Sequence, residues 1–365
     1  MRYVDEYRDP AAARALIAQI TASSRRPVTL MEFCGGHTHA ILRFGLRQLL
    51  PATVRLRSGP GCPVCVTSAA DLDRAIALAR VPDAILATFG DMVRVPGSCG
   101  TLEAARAGGA DVRVVYSPLN ALALARRHPD RPVILLGIGF ETTAPGVAAT
   151  VERAEAEGVP NLYLHSLHKR TLPAMRAILE GGAVHLDGVI GPGHVAAVVG
   201  SRAWRPLADD YRVPCAVAGF EPLDLLEAIA RLVEMAEGGQ AKVVNAYGRG
   251  VRPEGNPVAQ EALERVFSVA DADWRGLGVL PGSGLALRPA YAHRDAGQVF
   301  SAALEGVEPA GDPPGCRCGD VLRGTLEPTE CPLYRTVCTP LHPVGPCMVS
   351  GEGACAAHYR YGEAR

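Results

Sequence analysis

The chain has 365 residues, 48% of them hydrophobic, and 37 Lys and Arg against 38 Asp and Glu give a net charge of −1. Such a length holds two or three domains, and the lack of a basic excess excludes a large nucleic-acid footprint. The charged opening Met1-Arg2-Tyr3-Val4-Asp5-Glu6 is no secretory signal, and no apolar run reaches the roughly 20 residues of a membrane span, so a cytoplasmic protein without a membrane partner is expected.

A helix is expected over 10–22, then a buried strand over 27–33 that runs into Cys34-Gly35-Gly36-His37-Thr38-His39. After a helical stretch, 40–50, the β-prone run 54–57 leads into Gly59-Pro60-Gly61-Cys62-Pro63-Val64-Cys65. A helix over 68–80 follows, with Thr67 or Ser68 as its cap. Strands over 84–89 and 112–116 alternate with helices over 101–108 and 119–127. A second set opens with the strand 133–136, which ends in Gly137-Ile138-Gly139-Phe140-Glu141-Thr142-Thr143. The strand 162–164 and a helix over 172–180 come next. Strands over 188–190 and 216–218 then end in Gly191-Pro192-Gly193-His194 and Gly219-Phe220-Glu221-Pro222, and an amphipathic helix covers 223–236.

This alternation predicts parallel α/β units. Gly-Pro-Gly and Gly-Phe-Glu each occur in both sets, a weak sign of internal duplication. From 242 to 289 the rhythm lapses into a connecting region with one helix, 258–267, and no evident chemistry. The expected domains are 1–125, 126–245 and 246–365.

Open parallel sheets bind ligands at the carboxyl edge, where these polar words fall. Cys34, His37, Cys62, Cys65, Glu141, Thr142 and His194 are therefore expected to face one crevice between two Rossmann-like sheets. Each Gly-Pro-Gly taken singly also reads as a plain turn.

Cys62 and Cys65 stand on a strand-to-helix turn, beside free backbone N–H groups and the positive end of a helix dipole. An ordinary thiol is only roughly 3% thiolate at pH 7, and such surroundings raise that share. The pair suits disulfide exchange or metal binding. Half of a structural zinc site is the plainer alternative, and it needs two more ligands at similar spacing.

Eleven cysteines in a reducing compartment point to metal or redox work rather than disulfides. Six crowd the tail: Cys316, Cys318, Cys331, Cys338, Cys347 and Cys355. A [4Fe-4S] cluster takes four thiolates, which leaves two for a dithiol. The tail is dense in proline and glycine, so a metal centre would supply the stability that apolar packing lacks. Zinc is disfavoured because tidy C-x-x-C pairs are absent. Spacing alone does not choose the four ligands. Cys99 and Cys215 read as small buried hydrophobes. His165 and His168 read as surface or hydrogen-bonding groups, and His39 as a metal ligand or as an orienting partner of His37 or Cys34. No P-loop motif occurs, and Gly137-Ile138-Gly139 lacks the third glycine of a dinucleotide fingerprint.

Taken together, the Cys34–His39 and Gly59–Cys65 stretches, Gly139-Phe140-Glu141-Thr142-Thr143, Gly191-Pro192-Gly193-His194 and the tail closely resemble the HypD family of [NiFe]-hydrogenase maturation proteins, in the same order from about residue 30 to residue 361. The resemblance implies two α/β domains facing a cleft, plus a smaller domain with a [4Fe-4S] cluster. The family's cluster spacing, C-x14-C-x6-C-x16-C, falls on Cys316, Cys331, Cys338 and Cys355. Cys318 and Cys347 are then the extra redox pair. By the same resemblance Cys34 is the iron-holding cysteine with His37 near the metal, and Cys62 and Cys65 are the exchange-active dithiol. Glu352 lies in the family's tail motif, where Gly351 replaces a more frequent serine.

The implied role is a redox-active scaffold, rather than a turnover enzyme, for the Fe(CN)2CO unit, a transient iron with cyanide and carbonyl ligands. A HypC-type small chaperone is expected to share that iron, and a HypE-type partner to deliver cyanide from a C-terminal thiocyanate. Outside the complex a monomer is expected. A soft thiolate with an imidazole suits low-spin ferrous iron. Electrons are expected to run from the cluster to Cys318/Cys347, then Cys62/Cys65, then the iron. The alternatives are a stand-alone iron–sulfur disulfide reductase, which would carry no such additional iron, and a zinc-stabilised binding module, which would be colourless.

Overall fold

Short apolar runs become strands buried on both faces, as parallel sheets covered by helices require. In a computed structural model describing residues 4–308 and 311–362, the strands in chain order are β1 (Val28–Glu32), β2 (Val54–Ser58), β3 (Ile85–Thr88), β4 (Asp111–Val114), β5 (Val133–Gly137), β6 (Leu162–Ser166), β7 (Gly188–Pro192), β8 (Cys215–Ala218), β9 (Val243–Asn245), β10 (Phe267–Trp274) and β11 (Gly278–Leu287). One parallel sheet has the order β2-β1-β7-β8-β9 and the other β4-β3-β5-β6, while β10 and β11 form an antiparallel hairpin. Val28 pairs with Val54 on one side of β1, and Leu30 pairs with Gly188 on the other.

The fold is thus the expected pair of Rossmann-like sheets beside a cysteine-rich region, but the sheets do not divide at residue 125. β1 and β2 share a sheet with β7, β8 and β9, and the second sheet straddles that boundary. The chain leaves the first unit after β2, builds the second whole, and returns at β7. Alternating strands and helices reveal layers, not which strands pair, so a reading of consecutive units had no means to detect the interruption.

Helix caps follow local chemistry. The Asp9 carboxylate accepts the Ala11 N–H at 2.6 Å to start the helix Pro10–Ser23, and the Ser68 hydroxyl accepts the Asp71 N–H at 3.1 Å to start Ala69–Ala79. The expected helix over 40–50 instead starts at Gly35 and breaks at Gly45, whose φ of 65° is left-handed. The helix Pro222–Glu237 buries its apolar face beneath β7 and β8, with Leu225, Leu226, Ile229 and Val233 fully covered.

The hairpin corrects the reading of 242–289 as mere connection. Its apolar alternation is broken by a bulge between Ala270 and Ala272, which hid the period. Trp274 at its tip is buried under the Cys62–Cys65 turn: Thr67 bridges to it, and Arg275 N–H donates to Val66 O at 2.9 Å. No helix among the described residues is long and apolar enough to cross a membrane.

Candidate functional site

In the first sheet β1 connects towards β2 on one side and β7 towards β8 on the other, so the switch point lies between β1 and β7, where a crevice opens at the carboxyl ends. Cys34 follows β1, the Gly59–Cys65 turn follows β2, His194 follows β7 and Phe220 follows β8. The two Gly-Pro-Gly words therefore flank Cys34 from both neighbouring strands. Gly59 N–H donates to Glu32 O at 2.8 Å and Gly35 N–H to Gly61 O at 3.1 Å. A Cβ on Gly61 would lie 2.2 Å from the Cys34 amide nitrogen, so only glycine lets the dithiol turn close onto Cys34.

Cys34 is buried at the start of the helix Gly35–Arg43. Burial pushes its thiol up to about 12, and the charges of Glu32 and Glu352 add to this against the N–H groups of His37 and Gly36. A metal cation replacing the proton offsets that penalty, which suits a site that ionises on loading. His37, on the first turn of the same helix, is fully buried and donates from Nε2 to Ala218 O at 3.3 Å. That contact assigns the tautomer and leaves the Nδ1 lone pair, a buried nitrogen without a hydrogen-bond partner. Burial holds the ring down at about 4, so it stays neutral. Phe220 lies between the imidazoles, 4.8 Å from His37 and 3.8 Å from His194.

Beneath Cys34, Glu32 accepts the Cys34 N–H at 2.9 Å and the Thr38 hydroxyl. Burial lifts this carboxyl to about 8 from 4.5, outweighing the Thr38, Cys34 and Ser58 donors and the Arg47 charge. Across that window the folded chain binds the proton and the unfolded chain does not. The associated stability is therefore present below the unfolded value and lost as pH rises through the folded one, at about 1.4 kcal/mol per pH unit. A Glu32→Gln chain should gain on the wild type by that slope between about pH 5 and about pH 8 in denaturant unfolding. Parallel pH profiles would contradict the assignment.

From this corner the thiols run inward to the tail. Cys62 Sγ accepts the Cys65 N–H at 3.4 Å, and Cys65 Sγ faces Pro346 O at 4.0 Å. Burial pushes the Cys65 thiol well above its ordinary range, against the expected larger thiolate share, and the neighbouring Cys347 and Cys62 thiols raise it further. Cys347 meets Cys318, Cys355 and Cys65, whose thiol hydrogen bonds draw it well below the ordinary thiol range. Cys318 also meets Cys316 and Cys355, so the expected pair Cys318/Cys347 stands inside the expected ligand set rather than beside it. Cys338 Sγ accepts the Val344 N–H at 3.3 Å, and Cys331 is half-buried after the turn Pro328–Glu330. All eleven cysteines are free thiols, and among the described residues no group of three or more His, Cys, Asp or Glu stands ready to hold a metal ion.

Other expectations fare differently. Glu141 accepts the Thr171 N–H at 2.9 Å and its hydroxyl at 2.8 Å, so it secures the helix Thr171–Gly181 instead of facing the crevice. Thr142 beside it is half-buried. His39 donates from Nδ1 to Gly351 O at 3.3 Å and packs on Tyr361, tying the Cys34 helix to the tail. Cys215 is buried as expected, but Cys99 is exposed on its glycine turn. His165 and His168 are buried, the latter 3.0 Å from the Ser166 hydroxyl. Sequence reasoning passed over Glu32 and Phe220. An acid inside an otherwise apolar strand was the signal for the first, and the repeated Gly-Phe-Glu word for the second.

The second sheet has its own switch point, between β3 and β5. There a cavity of ≈ 480 Å³ is lined by Phe89, Asp91, Tyr116 and Ile138, with Val64 of the dithiol turn and Glu352 of the tail on its far wall. Both sheets thus present their carboxyl edges to one set of thiols.

The fold and site define a parallel α/β protein in which a buried thiol–imidazole corner, Cys34 and His37, lies beside a line of buried thiols. The family described as Hydrogenase formation hypA family, HypD, matches residues 11–362. Over 375 residues the chain is 49% identical to Hydrogenase maturation factor HypD of Azotobacter vinelandii, covering 100% of this chain and 98% of that protein. The protein of the same name from Escherichia coli is 46% identical over 99% of this chain and 98% of its own length. That from Rhodobacter capsulatus is 44% identical over 100% and 99%. The chain belongs to the HypD family of hydrogenase maturation factors.

Proposed function

We propose that this protein is the cytoplasmic scaffold on which an iron ion, its cargo, is held while the Fe(CN)2CO unit of a [NiFe]-hydrogenase is assembled. The observation that carries the reading is the His37 Nδ1, buried without a partner on the helix that begins at Cys34. A buried imidazole lone pair next to a thiol that ionises only against a cation is a soft, two-donor site for ferrous iron. A HypC-type chaperone supplies a further ligand, and a HypE-type donor brings a thiocyanate to the cavity beside Val64 and Glu352.

Cys62 and Cys65 release the cyanide in this reading. One thiolate attacks the thiocyanate sulfur and expels cyanide, and the second thiol then closes a disulfide and returns the donor's thiol. The disulfide is reduced by exchange with Cys347, the tail thiol that meets Cys65. The tail suits a [4Fe-4S] cluster: its donors are sulfur alone, and a Cβ on Gly345 would lie 2.5 Å from Cys316 Sγ and 2.6 Å from Cys318 Sγ, so glycine leaves the sulfurs room to gather. Cys316, Cys331, Cys338 and Cys355 would hold it, and when bound it supplies the electrons that restore the dithiols. A stand-alone disulfide reductase would use the same thiols but would leave His37 without a task.

Expressed in a host whose own family member has been deleted, the chain should restore hydrogenase activity. Cys34→Ala and His37→Ala should each abolish that rescue, whereas Cys99→Ala should not. Full rescue by Cys34→Ala would refute the scaffold.

A further inference from the structure

On the edge of the first sheet, away from the thiols, β2 forms one wall of an open groove of ≈ 520 Å³. Arg47, Arg55, Arg57 and Gln48 reach into it, facing Glu327 and His358 from the tail. Three guanidinium groups meet one carboxylate, so the lining carries a charge of about +2. Glu327 alone spans two of them, at 3.0 Å to Arg47 Nη1 and 2.8 Å to Arg57 Nη1. Arg55 is exposed and has no hydrogen-bond or ion-pair partner among the described residues. His358 is 94% buried, lying at 6% exposure, and its Nε2 has no hydrogen-bond partner, standing 3.7 Å from Glu327 Oε2. A groove with surplus guanidinium charge and a buried, unsatisfied imidazole nitrogen is unfinished without an acceptor-rich guest.

We propose that this groove binds a small phosphate-type dianion, free or as a phosphate monoester, through Arg55 and Arg57 with Arg47 behind them. Planar guanidinium groups grip such an oxyanion in pairs. Glu327 holds the site in the empty state and competes with the guest for Arg47 and Arg57. Arg47, Leu56 and Arg57 also wall a small gap whose opposite side is Glu32, Thr38 and Ser58, so the groove backs onto the strand end that carries Cys34.

Calorimetric titration of the full chain with inorganic phosphate, and separately with phenyl phosphate, tests this at low salt. Saturable one-to-one binding is expected, weakened about tenfold in Arg55→Ala and tightened in Glu327→Gln, which removes the competitor. A tighter fit for phenyl phosphate would assign the site to an ester, and equal or weaker binding would assign it to the free anion. Absence of binding by both probes would overturn the proposal, as would affinities unchanged in both variants. Circular dichroism on each variant separates a lost site from a lost fold.

Discussion

A chain with serine at both Cys318 and Cys347 should still take iron at Cys34 yet lose hydrogenase maturation by roughly 100-fold or more, because a hydroxyl neither attacks nor forms a disulfide. The expectation rests on one contact. Cys347 lies in the first turn of the short helix Pro346–Val349, fully buried, and is the tail thiol that meets Cys65. The Cys318 and Cys355 thiols lie beside it as well, and their hydrogen bonds draw its pKa down. Serine is close in size, so iron content and thermal unfolding should stay near the wild type while in-cell maturation collapses. Wild-type maturation in the double variant would break the route from tail to iron.

The second large effect is on the tail itself. Between Gly315 and Gly362 its helices run from three to eight residues, too short to hold themselves. What lies there is sulfur: Cys318 neighbours Cys316, Cys347 and Cys355, with Cys338 close by. Removing the proposed cluster, by oxidation or by Cys331→Ser, should destabilise this region by more than about 3 kcal/mol, as loss of a structural metal does. Unfolding followed by cluster absorbance and by circular dichroism would show the tail melting ahead of the sheets. A colourless preparation carrying zinc, with an unchanged melting curve in Cys331→Ser, would remove the cluster from the account.

Much of this was legible in the sequence because the chemistry sits next to strand ends. Val28 to Glu32 and Val54 to Ser58 are strands by composition alone, and the residues after them, Cys34 and Cys62, share an edge once the strands are parallel. The interleaving of the two sheets was not legible. Nothing in Gly188-Val189-Ile190 says that it pairs with β1 rather than with β6. Long-range pairing is decided by which surfaces fit, and Gly188 opposite Leu30 is such a fit: a Cβ there would meet Leu30 and Leu232 at 3.0 Å. Glu141 misled for a related reason. Its word follows a strand as Cys34 does, but a buried carboxylate takes the nearest donors, and Thr171 supplies both. The tail's six cysteines read as metal chemistry in the sequence, whereas their order in space, with Cys347 against Cys65, comes from packing between distant segments, as the 281-residue separation of Cys65 and Pro346 shows.

The most direct test is infrared spectroscopy of the chain isolated without oxygen together with its maturation partners. Cyanide and carbonyl stretching bands from bound iron are expected in the wild type and in Cys99→Ala, and none in Cys34→Ala. Bands of wild-type strength in Cys34→Ala would mean that the iron is held elsewhere, and the scaffold assignment would fall.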